Sequence, residues 1–362
     1  MSDEIDSLVA HWVRPEIRRL TPYQVQDASG LVKLDAMENP YTWPEALRDE
    51  WADLLRQTDV NRYPDPAARS LTERLAECMD VPEGMQVILG NGSDEIIQMI
   101  GMSLSGPGRC VLSVEPGFVM YRMISTFCGM PYVGVPLGED FSLDMAAIRQ
   151  AMDEHQPAVV YLAYPNNPTG NLFDEDAVCE VIEAAPGLVV VDEAYAPFTD
   201  ASFLPRLGAF DNLVVMRTVS KMGLAGLRLG FLAGPPAWLA EFDKVRLPYN
   251  INVLTQVSAE FALRHKAVFD EQTARIREER GRLATALAAL PGVTVFPSQA
   301  NFLLLRTPPG RAGAWFEGLK ARGVLVKNMD GGHPLLADCL RITVGRPEEN
   351  DAVVEGLREL AD

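Results

Sequence analysis

One lysine of this sequence lies where proteins use lysine for chemistry. The apolar run 213–216 predicts a buried strand, and Thr218, Ser220 and Lys221 follow it. A glycine-rich turn that carries Arg228 comes next. Ligands of open parallel α/β sheets bind at the carboxyl ends of the strands, so Lys221 is a candidate for chemistry rather than for solubility.

A lysine in this position can bind a phosphate, carry surface charge or form a covalent bond to an aldehyde. The small residues Gly223 and Gly226 let the backbone approach a ligand, and two hydroxyl groups with an arginine suit a phosphate monoester. Lysine, hydroxyls and arginine together suggest pyridoxal phosphate. An ordinary strand followed by a basic turn is the alternative that this segment alone leaves open.

The composition narrows the class of protein. The chain has 362 residues, of which 48% are apolar, enough for a large core and a smaller one, so we expect a two-domain α/β enzyme. A formal net charge of −18 argues against nucleic acid as a partner, because polyphosphate binding needs a basic surface. Any bound anion must therefore be held by local cations.

The cysteines and the N-terminus exclude further classes. Five cysteines without a CxxC pair and four dispersed histidines indicate neither a disulfide framework nor a zinc site, so we expect no metal. The first residues include early acids and no long apolar stretch, which argues against a signal peptide. No segment approaches the length of a membrane span, so we expect no membrane partner and a cytoplasmic location.

From Gln86 onward, strand and helix patterns alternate, which is typical of crossover units and a parallel sheet. The expected fold class is α/β, with a large domain whose mostly parallel sheet is flanked by helices and a smaller α/β C-terminal domain. The strands predicted for the large domain are 86–89, 109–114, 158–163, 188–191 and 213–216. Those predicted for the small domain are 293–296, 301–306, 324–327 and 340–344.

The domain boundaries follow from changes in this pattern. A long charged helix over 253–290 is predicted to bridge the two domains. We therefore expect a large domain over 45–250, and the bridging helix with the small domain over 251–362. Residues 1–44 are expected to pack on the small domain or on a partner subunit. Within them, residues 5–13 predict an amphipathic helix, for which ordinary packing is the expectation.

Each predicted junction between strand and helix offers a polar or aromatic side chain. Ser93 and Asp94 open a helix, where free amide groups favour an anion, although simple capping explains them equally well. Phe118 follows the next strand, either as part of the core or as a stacking face for a planar ligand. Asn167 precedes a proline that restricts its backbone. Asp192 directly follows four apolar residues and, once desolvated, needs a cationic partner.

Together these residues match the needs of one cofactor. Pyridoxal phosphate requires an amine for its aldehyde, a carboxylate for its ring nitrogen, donors for its ring oxygen, a stacking ring and cations for its phosphate. The motifs SKMGLAGLR, VVDEAY, NNPTG and RYPDP resemble those of the fold-type I aminotransferases, and among them the histidinol-phosphate aminotransferases. The resemblance covers nearly the whole chain.

The resemblance implies a role for each residue. Lys221 would bind the cofactor aldehyde, Asp192 would hold the ring nitrogen protonated, and Tyr195 would act with them as a catalytic residue. Tyr195 and Asn167 would also bond the ring oxygen, and Phe118 would stack on the ring in place of the family's tyrosine. The phosphate would be bound by Ser93, Asp94, Thr218, Ser220, Arg228 and, from the neighbouring subunit of a homodimer, Tyr63.

The resemblance also implies a substrate site. Arg341 of the LRITVG motif would receive the carboxylate of one substrate and the phosphate of the other. Tyr23, Asn167 and Lys327 would contribute to the same site. Three departures stand out: Lys327 replaces a second arginine, Met37 replaces a common asparagine, and the run from the lysine to the phosphate arginine is one residue shorter than in many members.

The implied reaction is transamination of histidinol phosphate with 2-oxoglutarate, giving imidazole acetol phosphate and glutamate, in histidine biosynthesis. An aromatic or other amino acid aminotransferase and a threonine-phosphate decarboxylase share the same machinery and stay open as alternatives. A cofactor-dependent regulator would need a basic DNA-binding module, for which the short acidic N-terminus leaves no room. An inactive protein of this fold is disfavoured because no member of the constellation is missing.

Overall fold

The computed structural model describes residues 2–361. Its helices are α1 (Ser2–Trp12), α2 (Pro15–Arg18), α3 (Glu45–Arg56), α4 (Arg69–Cys78), α5 (Ser93–Leu104), α6 (Val119–Phe127), α7 (Met145–His155), α8 (Glu175–Ala184), α9 (Pro236–Asp243), α10 (Val253–Arg264), α11 (Lys266–Ala288), α12 (Ala312–Ala321) and α13 (Pro347–Ala361). Its strands are β1 (Val32–Lys33), β2 (Gln86–Gly90), β3 (Val111–Glu115), β4 (Tyr132–Pro136), β5 (Val159–Ala163), β6 (Leu188–Asp192), β7 (Leu213–Thr218), β8 (Gly230–Gly234), β9 (Thr294–Val295), β10 (Phe302–Arg306), β11 (Val324–Leu325), β12 (Lys327–Asn328) and β13 (Cys339–Thr343).

The central sheet has seven strands in the order β2-β8-β7-β6-β5-β3-β4. Neighbouring strands are parallel except for β8, which runs antiparallel to both β2 and β7. In β6, Val189 and Val191 join the apolar cluster on one face, and Leu188 and Val190 join the cluster on the other. Burial on both faces explains why the strand is a continuous apolar run. The predicted mostly parallel sheet flanked by helices is confirmed.

A smaller unit lies beside this sheet. Its antiparallel sheet has the order β12-β13-β10-β9, and β1 pairs with β11 in a separate two-stranded parallel sheet. A third apolar cluster joins Leu34 to Ile276, Trp315 and Ile342. The N-terminal segment thus contributes to this unit, because β1 and Leu34 belong to it. The boundaries at 44/45 and 250/251 stay predictions.

Polar residues begin several helices away from the site. Asp144, Asp174 and Asn252 each accept a hydrogen bond from the amide three residues on, at 3.0, 3.0 and 2.9 Å. In contrast, α5 and α6, which follow β2 and β3 at the carboxyl edge of the sheet, have no side-chain cap. Their first amide groups therefore face the edge at which ligands bind in such sheets.

Several elements differ from the sequence expectations. The helix predicted over 253–290 is two helices, α10 and α11, because the backbone turns at His265 (φ −108°, ψ 27°). The strand predicted over 324–327 is split into β11 and β12, which pair in different sheets. The alternating pattern does not predict β4 or β8, because Gly134, Gly230 and Gly234 weaken their strand signal.

The N-terminal helix α1 exposes an apolar face. Ile5, Leu8 and Trp12 are 59%, 60% and 76% exposed, so the ordinary packing expected for this helix does not occur within the chain. Arg14 anchors the following turn by donating to the Phe127 carbonyl oxygen at 2.6 Å. Contiguous exposed apolar side chains mark an interaction surface. Among the described helices, none combines the length and apolar character needed to cross a membrane.

Candidate active site

Lys221 lies at the carboxyl edge of the central sheet, just after β7. The chain forms one turn of π-helix over Ser220–Leu224, in which Gly223 adopts φ 131°. The Nζ of Lys221 donates a hydrogen bond to the carbonyl oxygen of Ala36 at 3.2 Å. Burial and the charge of Arg341 lower the pKa of Lys221 to about 8. An amine with this pKa is a nucleophile close to neutral pH.

The start of α5 and one arginine form a site for an anion beside Lys221. Ser93 and Asp94 occupy the first turn of the helix, whose amide groups have no side-chain cap. Arg228 has a left-handed backbone (φ 49°), and its guanidinium lies 3.6 Å from the Asp94 carboxylate. A Cβ at Gly92 would lie 2.6 Å from the Arg228 guanidinium, so any side chain there would displace that group.

Two hydroxyl groups at the end of β7 complete the anion site. The side-chain oxygens of Thr218 and Ser220 lie 2.8 Å apart. Thr218 also lies 3.1 Å from the carbonyl oxygen of Leu229, which can only accept. Because a hydroxyl carries a single proton, donation from Thr218 to the Ser220 oxygen leaves the Ser220 proton available to a ligand.

Asp192, the last residue of β6, is 3% exposed. Its Oδ2 accepts a hydrogen bond from the Tyr121 hydroxyl at 2.6 Å, and its Oδ1 accepts one from the Ala194 amide at 3.1 Å. Burial raises the pKa of Asp192 to about 6, against the lowering effect of these two bonds. The sequence predicts a cationic partner for Asp192, but none is found among the described residues. The neutral Tyr121 hydroxyl binds the carboxylate instead.

Three side chains form a hydrogen-bonded chain across the cavity. Arg341 on β13 donates to Asn167 Oδ1 at 2.6 Å, and Asn167 Nδ2 donates to the Tyr195 hydroxyl at 3.1 Å. Arginine has only donors, so this contact fixes the orientation of the Asn167 amide. Burial raises the pKa of Tyr195. Tyr195 therefore keeps its proton and can donate it to a ligand.

Arg341 is buried, with 8% of its surface exposed. Its Nη2 donates to the Asp35 carbonyl oxygen at 3.0 Å, and its Nε has no hydrogen-bond partner. Within the described chain no carboxylate forms an ion pair with it, which rules out a simple surface ion pair. A buried guanidinium with an unused donor is suited to an anion from outside the protein.

The segment 35–37 contacts two of the cations of the site, Lys221 and Arg341. Its carbonyl oxygens accept bonds from Arg341 and Lys221, as described above. Met37 has a left-handed backbone (φ 53°) and is held by Thr343 and Asn301, each at 2.9 Å. The backbone of this turn thereby connects the small unit to the lysine.

Most of these groups surround one cavity of about 420 Å³, although Arg341 and Tyr121 are not part of its lining. It is lined by Ala36, Met37, Glu38, Ser93, Asp94, Phe118, Ala163, Asn167, Asp192, Ala194, Tyr195, Thr218, Ser220, Lys221, Ala225, Gly226 and Arg228. Residues from six separate strand ends and loops therefore meet at one edge of the sheet, as the sequence analysis expects.

The match to a family profile decides the family. Residues 29–357 match the family described as aminotransferase class I and II, which is most of the chain. The chain belongs to the class I and II aminotransferases.

Relatives of this aminotransferase share its full length. It is 58% identical, over 97% of each chain, to histidinol-phosphate aminotransferase 2 of Nitrosococcus oceani. It is 56% identical, over 96% of each chain, to histidinol-phosphate aminotransferase 2 of Cupriavidus pinatubonensis. A crystal structure of histidinol-phosphate aminotransferase from Sinorhizobium meliloti in complex with pyridoxal-5'-phosphate has a TM-score of 0.85 at 24% identity, covering 97% of each chain, and shows the same fold.

The cavity of this aminotransferase fits pyridoxal phosphate. The uncapped start of α5 with Arg228 suits the phosphate. The buried Asp192 carboxylate, which has no cationic partner among the described residues, suits a protonated ring nitrogen. Phe118 lines the cavity with its ring, and the amine of Lys221 lies at the same wall. Each group that the cofactor requires is thus present.

Four expected site residues lie outside the cavity lining, namely Tyr23, Tyr63, Lys327 and Arg341. Arg341 is connected to the lining through its hydrogen bond to Asn167. Tyr63 is 81% exposed and stacks on Tyr249 at 4.4 Å, so this chain does not bring it to its own site. Tyr23 is exposed, yet close enough to interact electrostatically with Tyr195 and Arg341. Lys327 pairs with Arg341 across β12 and β13, which places both side chains on one face of the small sheet.

Two functional contacts are absent from the sequence expectations. Tyr121 lies one turn after Phe118 in α6, and that spacing is the signal that could have placed it near the cavity. The carbonyl groups of Asp35 and Ala36 carry no sequence signal, because every residue has a carbonyl.

Proposed function

We propose that this aminotransferase transfers the amino group of histidinol phosphate to 2-oxoglutarate, giving imidazole acetol phosphate and glutamate in histidine biosynthesis. The observation that carries the proposal is Arg341, a buried guanidinium with an unused Nε and no acidic partner among the described residues. The 58% identity to the Nitrosococcus oceani histidinol-phosphate aminotransferase 2 over nearly its full length supports the same substrate.

We assign the cavity residues to pyridoxal phosphate. Bound there, the cofactor supplies an aldehyde for the substrate amine and a ring that accepts electrons when the Cα proton leaves. Lys221 is the amine that holds the aldehyde. The phosphate is bound by Ser93, Asp94, Thr218, Ser220 and Arg228.

The remaining groups control protons and position. Asp192 would stabilise a proton on the ring nitrogen, since it is a buried carboxylate with no cationic partner among the described residues. Tyr195 and Asn167 donate to the ring oxygen, and Phe118 covers the ring. With its amine free, Lys221 would be a base near neutral pH, because burial and the charge of Arg341 lower its pKa to about 8.

Arg341 explains how one site accepts two substrates. Glutamate presents a carboxylate and histidinol phosphate presents a phosphate, and a guanidinium binds either with paired hydrogen bonds. Lys327 lies beside Arg341 on the same face and adds a positive charge. Arg341 also donates to Asn167, which in turn donates to Tyr195. A substrate bound to Arg341 would therefore be linked by hydrogen bonds to Asn167 and Tyr195, the two donors to the ring oxygen.

A substrate panel tests this proposal. Wild type and Arg341→Ala are assayed with 2-oxoglutarate against histidinol phosphate, phenylalanine and threonine phosphate, and Lys221→Ala serves as the inactive reference. Histidinol phosphate should be the best amino donor, and Arg341→Ala should lose about 10²-fold or more in kcat/KM for both half-reactions, as expected for a lost charge-assisted contact.

Two outcomes would contradict it. A clear preference for phenylalanine would assign an aromatic aminotransferase, and release of carbon dioxide from threonine phosphate would assign the decarboxylase. If Arg341→Ala damages neither half-reaction, the substrate site lies elsewhere.

We also propose that the enzyme is a cytoplasmic homodimer with shared sites. The exposed apolar face of α1 and the exposed Tyr63 support a partner subunit, because neither is covered within the chain. Five free cysteines agree with a reducing compartment.

A further inference from the structure

The ring nitrogen of the cofactor needs an ionised carboxylate, yet burial opposes that charge. No cationic side chain contacts Asp192 among the described residues, so some other group must keep the carboxylate ionised before the cofactor binds. The only side chain that donates to it in the described chain is Tyr121, at 2.6 Å. Tyr121 is 1% exposed.

The Tyr121 hydroxyl is a permanent donor. Burial and the nearby charge of Asp192 raise the pKa of Tyr121 well above its usual value, so the hydroxyl keeps its proton throughout the neutral range. It therefore cannot become a second negative charge beside the carboxylate.

The Tyr121 ring is also held in place. It stacks on Tyr161 with centroids 4.7 Å apart and planes 12° apart, and it meets Phe118 edge-on at 5.4 Å. A ring fixed on two sides cannot swing its hydroxyl away. Oδ2 of Asp192 is bound by this hydroxyl and Oδ1 by the Ala194 amide, so the carboxylate has one orientation.

Other titratable groups around Asp192 cannot replace this bond. The acids among them oppose a further negative charge, and the tyrosines are neutral. They are Asp94 on α5, Glu193 and Tyr195 after β6, and Tyr161 on β5. The stabilisation of the ionised form thus depends on hydrogen bonds rather than on a neighbouring cation.

We propose that Tyr121 is a positioning residue for Asp192, holding the buried carboxylate ionised and oriented to receive the ring nitrogen. The proposal rests on the assignment of the cavity to pyridoxal phosphate. Tyr121 does not line the cavity, so it acts through Asp192 and not on the substrate.

The test is the pH dependence of cofactor affinity. The dissociation constant of pyridoxal phosphate is measured between pH 5.5 and 9 for cofactor-free wild type, Tyr121→Phe and the matched control Tyr161→Phe, which removes a hydroxyl from the neighbouring stacked ring. Loss of the bond should move the acid-side midpoint of Tyr121→Phe upward by about one pH unit. Affinity should then be several-fold weaker near pH 6 and similar to wild type near pH 9.

A second substitution tests the opposite direction. Incorporating 3-fluorotyrosine at position 121 makes the hydroxyl a stronger donor with little change in volume, and the midpoint should fall. Thermal unfolding of each cofactor-free protein verifies that it is folded.

The proposal is overturned if Tyr121→Phe keeps the wild-type midpoint, if Tyr161→Phe shifts it equally, or if the fluorinated protein shows no decrease. A wild type without saturable cofactor binding would instead refute the proposed function.

Discussion

Lys221 and Asp192 are buried groups whose charged forms the cofactor-free protein disfavours. Burial lowers the pKa of Lys221 to about 8 and raises that of Asp192 to about 6. Both changes reduce stability, because the unfolded chain ionises these groups freely. Covalent attachment of the lysine and pairing of the carboxylate with a ring nitrogen would relieve both costs. These two groups therefore lower the stability of the cofactor-free protein, and binding of the cofactor would restore that stability.

Asp192→Asn should stabilise the cofactor-free protein while weakening cofactor binding. The folded pKa lies above the unfolded value of 3.8, so the carboxylate costs stability at pH 7.5 and costs less as the pH falls below 6. Neutral asparagine removes about 1–3 kcal/mol of this cost. Urea unfolding of the cofactor-free proteins at pH 5 and 7.5 measures the gain, which should be larger at pH 7.5.

The second half of this prediction concerns affinity. Loss of the charged partner should raise the dissociation constant of pyridoxal phosphate about 10²-fold or more. An asparagine variant that is less stable without cofactor, or that binds the cofactor as wild type does, would show that Asp192 does not have this role.

At the scale of elements, the anion site depends on how closely α5, β8 and the turn before β8 approach one another. A Cβ at Gly230, the first residue of β8, would lie 2.7 Å from the Ser93 amide nitrogen. The π turn after β7 and the short 3₁₀ turn Ala225–Leu227 bring Arg228 back to the same helix start. The short spacing between Lys221 and Arg228 is thus accommodated by two consecutive tight turns.

Gly92→Ala should displace Arg228 and weaken cofactor binding. The added Cβ would lie 2.6 Å from the guanidinium, and loss of a charge-assisted contact should reduce affinity about tenfold or more. Gly84→Ala is the matched control, since Gly84 has a similar φ of 83° and nothing within 4 Å. Both variants should lose unfolding free energy from backbone strain, by about 1–3 kcal/mol at Gly92, where φ is 86° and ψ 163°, and only Gly92→Ala should bind the cofactor more weakly. If the two variants bind pyridoxal phosphate with equal affinity, Arg228 does not contribute to cofactor binding.

At the scale of the whole molecule, at least two surfaces point outward without a partner among the described residues. The apolar face of α1 is one, and Tyr63 with Tyr249 is the other. A monomer gains nothing from exposing either, and a second subunit would cover them.

Mixed dimers test whether Tyr63 serves the neighbouring site. Lys221→Ala and Tyr63→Ala chains carrying different tags are coexpressed, and the hybrid is isolated. If Tyr63 acts across the interface, one of the two hybrid sites has both wild-type residues, so about half of the wild-type activity should return. A hybrid of two differently tagged Lys221→Ala chains is the control and should stay inactive. An inactive mixed hybrid, or a monomer by light scattering, would contradict the shared site.

The sequence by itself determined the α/β class, five of the six strands that run in one direction in the large sheet, and the residues at the carboxyl ends of those five strands. It could do so because buried parallel strands are continuous apolar runs and because polar residues directly after them must meet at one edge. Lys221, Asp192, Asn167 and Arg228 follow from this local pattern and from the resemblance.

Only the tertiary structure decided what each of these groups contacts. The break at His265, the separate pairing of β11 and β12, and the glycine-rich β8 depend on long-range packing that overrides local pattern. The sequence predicts a cation beside Asp192, whereas the structure places the Tyr121 hydroxyl there. A hydrogen-bond partner is set by three-dimensional proximity, so residues 71 positions apart can carry no local sign that they meet.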